Sequence, residues 1–76
     1  MNTKSIIRMA RPLRAVIGAH AKLIGTGCDN ATYQRARVDS DIAVDQAKYL
    51  IQHLANRHDA TVFSRAVGMP NYIYTR

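Results

Sequence analysis

Apolar positions set the first expectation for this chain. From Ile6 onward, Met9, Ala10, Leu13, Val16, Ile17, His20 and Ile24 recur at steps of three and four, the spacing of one helical face. Lys4, Arg8, Arg11 and Lys22 fall on the opposite face of the same winding. Pro12 interrupts the pattern. Inside a helix its ring clashes with the carbonyl four residues back and removes a hydrogen bond, at a cost of about 3 kcal/mol, whereas it is well tolerated at a first helical position. The pattern therefore predicts a helix from Pro12 to about Ile24, with residues 1–11 as a basic N-terminal arm. The glycines and Asn of "GTGCDN" (Gly25 to Asn30) end that helix.

The next stretch, "ATYQRARVDSD", supports two readings. As a strand, Tyr33, Arg35 and Arg37 alternate with Gln34, Ala36 and Val38. As a short helix, Thr32 caps it and Asp39, Ser40 and Asp41 form the turn that follows. The most regular element comes afterwards. Ala43, Ala47, Leu50, Ile51 and Leu54 form an apolar stripe over a helix near residues 42–57, with Asp39, Ser40 or Asp41 as its N-cap. In the tail, Val62, Ser64 and Ala66 alternate with Phe63, Arg65 and Val67. "GMPN" reads as a turn and "YIYT" as a second alternating run, which predicts a β-hairpin with Tyr72 and Tyr74 on one side of its last strand.

This order places the 76 residues in one small domain, mainly α with a C-terminal β-hairpin. The alternative is a small α+β domain in which residues 32–38 pair with the hairpin. A core this size leaves stability marginal, and a homodimer is one way to enlarge it. Cys28 is the only cysteine, so no internal disulfide forms, which fits a reducing, cytoplasmic setting. No apolar run approaches the ~20 residues of a membrane span, and a membrane partner is not expected.

Charge adds the functional signal. Eleven Lys and Arg face five acidic residues, all Asp, for a net charge of +6. That balance favours nucleic acid or an acidic protein surface as partner. Residues 1–28 hold Lys4, Arg8, Arg11, Arg14 and Lys22 and no acid. Enzymatic chemistry finds little support. There is no Glu, the Asp residues sit in turns or at a helix start, and Cys28 lies in a Gly-rich turn with no orienting partner in view. His53 and His58 are five apart on a helix and diverge by ~140°, whereas metal-ligand pairs use spacings of three or four. No cofactor motif is present; "GTG" lacks the Gly-Lys-Ser/Thr that completes a phosphate loop.

Helix, short element, helix and hairpin together resemble the winged helix-turn-helix DNA-binding domains over about residues 12–76. "DIAVDQA" (Asp41 to Ala47) falls where that family has its tight turn and recognition-helix start, and Ile51 and Leu54 match its paired core leucines. The resemblance implies a transcriptional regulator whose recognition helix presents Lys48, Tyr49 and Gln52 to base edges, with Arg65 of the wing entering the minor groove. Asp39, Asp41 and Asp45 crowd that helix start and repel phosphate, which shifts the expected anion contact toward Lys4, Arg8, Arg11, Arg14 and Lys22. Arg35 and Arg37 complete the candidate set. The second reading is an interaction protein of the kind phages and mobile elements carry, which inhibits or modulates a larger nucleic-acid enzyme by covering its acidic or nucleic-acid-facing surface.

Overall fold

The computed structural model describes residues 2–69 and 74. Three helices follow one another: α1 (Thr3–Leu23), α2 (Asn30–His53) and α3 (Arg57–Val67). Each begins at a short polar side chain that accepts from the backbone N–H three residues on. Asn2 accepts from Ser5 at 2.8 Å, Asp29 from Thr32 at 3.2 Å and Asn56 from Asp59 at 2.9 Å. These caps satisfy amides that the first turn of any helix leaves without partners.

α1 runs straight through the expected arm. Residues 3–11 are helical, and Pro12 lies in the helix interior. The penalty at Pro12 is local, while the stripe it interrupts is needed on both sides. Ile6 and Ala10 are buried before it, and Leu13 and Ile17 pack on the core after it. Burying Ile6 alone contributes roughly 1.5–3 kcal/mol, comparable with the proline penalty. Gly25 and Gly27 take positive φ values of 78° and 74° in the turn that reverses the chain, and Thr26 Oγ1 donates to the Leu23 carbonyl at 2.8 Å to close the end of α1.

α2 absorbs the whole of residues 32–38, so neither a strand nor a separate short helix forms there. Asp39, Ser40 and Asp41 continue the helix and form no turn or cap. The reason lies in a repeat of alternating three- and four-residue steps through Tyr33, Ala36, Ser40, Ala43, Ala47, Leu50 and Leu54. Ser40, Ala43, Ala47 and Leu54 along it are buried, while the three Asp residues stay exposed. Small side chains at 40, 43 and 47 leave room for α1, against which α2 packs after the short turn. The helix stops at His53, before the expected residue 57.

Residues 62–67 belong to α3, not to a strand, and no strand forms among the described residues. The proposed second strand, "YIYT", lies mostly outside them. Ala60, Phe63, Ser64 and Val67 turn inward, and Phe63 is the largest fully buried side chain. Gly68 ends the helix in the left-handed region at φ 90° and donates to the Arg65 carbonyl at 3.2 Å; the Met69 N–H donates to Ser64 at 2.8 Å. This pair of bonds is a Schellman motif. The Ser64 hydroxyl donates to the Met69 carbonyl. Tyr74 folds back onto the core, and its hydroxyl donates to the Leu54 carbonyl at 3.2 Å. Among the described residues the fold is three helices, and the expected C-terminal β-hairpin, like the alternative α+β arrangement, is corrected accordingly.

Candidate functional site

With α1 continuous from Thr3, its cations fall into register. Lys4, Arg8, Arg11, Ala15, Gly18 and Lys22 succeed one another at steps of four, three, four, three and four, so they share one stripe along the axis. Lys4 and Lys22 are 18 positions apart, or ~27 Å along the helix. All four of these cations are exposed, and α1 contains no acidic residue. Ile6, Ala10 and Ile17 face the other way, into the protein.

Two concavities lie along this face. The smaller, about 300 Å³, is lined by Lys4, Ile7, Arg8 and Arg11. The larger is a groove of about 640 Å³ beside the C-terminal end of α3, where Arg11, Arg14 and Lys22 stand around a floor that includes Ala15, Gly18 and Ala19. Arg11 belongs to both, which makes the surface continuous. Arg14 reaches across to α3: its Nη1 donates to the Ala66 carbonyl at 3.4 Å, in the last turn of that helix. A cation suits that position because the free carbonyls of a helix end carry partial negative charge.

The remaining candidates do not join this face. Arg35, Arg37, Lys48 and Tyr49 are exposed along α2, Gln52 is half-buried, and Arg65 is exposed on α3. Arg37 Nε donates to Gln34 Oε1 at 3.0 Å, and its Nη1 lies 3.8 Å from the Asp41 carboxylate. Tyr49 stacks on His53, with ring centroids 3.9 Å apart, and His53 Nδ1 donates to the Tyr49 carbonyl at 2.8 Å. On the exposed surface of α2, Arg35, Arg37 and Lys48 are matched in number by Asp39, Asp41 and Asp45. Opposite charges at this density cancel beyond a Debye length of about 8–10 Å. Of the two long helices, α1 is the one whose cations no acid on the same helix matches.

The groove floor was not foreseen. Ala15, Gly18 and Ala19 are bland residues, and their only signal was that small side chains fill the cationic stripe between Arg11 and Lys22. Val38, Ile42 and Tyr49 also stand exposed on α2 at 49%, 58% and 61%. Among the described residues no three His, Cys, Asp or Glu side chains gather where they could hold a metal ion, and no helix is long and apolar enough to cross a membrane. Comparison with protein-family models, with curated proteins and with solved structures finds no match.

Proposed function

We propose that this protein binds nucleic acid through the cationic face of α1, by contact with the phosphate backbone. The observation that carries this reading is the ~27 Å stripe of Lys4, Arg8, Arg11 and Lys22, exposed and unopposed by any carboxylate on its own helix. Lys and Arg neutralise phosphates and release condensed counterions, which supplies sequence-independent affinity. Base readout is not part of the proposal. The side chains expected to perform it, Lys48, Tyr49 and Gln52, lie on α2 among three carboxylates and away from the stripe.

The test is binding of a short mixed-sequence DNA duplex, followed by fluorescence anisotropy as salt is raised. Four neutralised phosphates give a slope of about −3.6 in log K against log salt, or roughly a hundredfold loss between 50 and 200 mM. Arg8→Glu combined with Arg11→Glu removes binding while the far-UV CD spectrum stays helical, because both side chains are exposed. Absence of binding at low salt, or binding that ignores the double reversal, refutes the proposal.

A further inference from the structure

The larger groove has a chemistry that phosphate contact does not use. Its rim is cationic, from Arg11, Arg14 and Lys22, but its floor is apolar, from Ala15, Ala19 and the edge of Ile17. A phosphodiester gains nothing from an apolar floor. An amphipathic helix gains from both parts, laying apolar side chains on the floor and carboxylates against the rim. We infer that this groove is a docking site for an acidic amphipathic helix of a protein partner.

Gly18 sharpens the inference. It lies inside α1 with ordinary helical φ, and a Cβ built on it meets nothing within 4 Å. The fold therefore does not require glycine there, and glycine in a helix interior costs about 1 kcal/mol relative to Ala. What its missing side chain does provide is depth. With Ala15 and Ala19 beside it, the backbone of α1 is open to close approach, and helices pack at 8–10 Å when the side chains at the contact permit it. Arg11 to Lys22 spans ~16 Å, three turns of a helix, which matches the contact length of a crossing partner. Arg14, whose Nη1 donates to the Ala66 carbonyl, places its guanidinium on the rim where a carboxylate of the partner helix can meet it.

The probe is a labelled peptide of about 18 residues, ~27 Å as a helix, with Leu and Ala at three- and four-residue steps and Glu flanking them. A peptide of the same composition in shuffled order is the control. Anisotropy at fixed salt is expected to show the ordered peptide binding at least about tenfold more tightly than the shuffled one. Gly18→Leu, which fills the floor, weakens the ordered peptide by about tenfold, while the thermal midpoint holds or rises and duplex binding, which rests on Lys4, Arg8, Arg11 and Lys22, is retained. Lys22→Glu, which leaves the floor untouched, weakens the ordered peptide as well and serves if the leucine variant fails to fold. Equal binding of the two peptides shows charge attraction alone and overturns the inference. So does binding of neither, or indifference of the ordered peptide to a folded Gly18→Leu. The nucleic-acid reading survives each of these outcomes, since it is measured on the duplex.

Discussion

One substitution made at two places, glycine to alanine, is expected to move stability in opposite directions. At Gly18 the backbone is helical and the new methyl group enters open space. Helix propensity then favours Ala by about 0.8–1.0 kcal/mol. At Gly68 the backbone sits at φ 90°, ψ 23°, and the methyl group also finds room, since its nearest neighbour is Arg14 Nη1 at 4.0 Å. The penalty there is conformational. A left-handed backbone costs an L-residue about 1–2 kcal/mol, and the reduced freedom of the unfolded chain returns only about 0.4–1 kcal/mol. The net loss is on the order of 1 kcal/mol. For a domain of this size about 1 kcal/mol shifts the midpoint by roughly 4–8 °C. Thermal and urea unfolding followed by CD at the helical minimum should therefore place Gly18→Ala several degrees above the parent and Gly68→Ala several degrees below it. Shifts of the same sign would refute the reasoning. Destabilisation at Gly18 would mean a filled groove or a broken α1, and stabilisation at Gly68 would mean that α3 does not end in a left-handed turn.

Two further substitutions probe the same architecture. Phe63→Ala removes the largest fully buried side chain and is expected to cost about 3–5 kcal/mol. Against a total of roughly 4–11 kcal/mol for a chain of this length, that is a large part of the stability, so urea titration should show a much lower midpoint, with Phe63→Leu much milder. Asn56→Ala deletes the acceptor for the Asp59 amide at the start of α3 and should lower the unfolding free energy by about 1 kcal/mol in urea titration. No change would mean that α3 starts elsewhere.

The two long helices were legible in part, and the reasons for the errors are physical. Alternation in residues 62–67 suggests a strand, yet neither of its two sets is uniformly apolar: one holds Ser64 and the other Arg65. The spacing of Ala60, Phe63, Ser64 and Val67 is helical, Asn56 and Asp59 mark a helix start, and Gly68 followed by Pro70 marks a helix stop. A glycine before a proline serves a helix end as well as a hairpin turn, so the local signal was ambiguous and the period decided it. In α2 the misleading feature was Asp39-Ser40-Asp41. Three polar residues look like a turn, but the outer two face solvent and Ser40 is buried on the core side of the helix. Of the candidate site, the cations of α1 were legible as one set because no acid dilutes them. The α2 candidates were not separable from their neighbouring Asp residues until the helix fixed which of them share a surface.

Pro12 links the fold to the proposed function. Had α1 begun at the proline, Lys4, Arg8 and Arg11 would sit on a detached arm, and only Arg14 and Lys22 would remain on the helix. Because the helix continues through it, the N-terminal cations are held at fixed spacing on the same face as Lys22. A rigid array loses less freedom on meeting a regular row of phosphates than an arm does. What carries the helix through the proline is the apolar stripe on the other side, where Ile6 and Ala10 are almost wholly buried. The core face of α1 thus determines the order of its cationic face, and weakening the first should loosen the second while every charge remains in place.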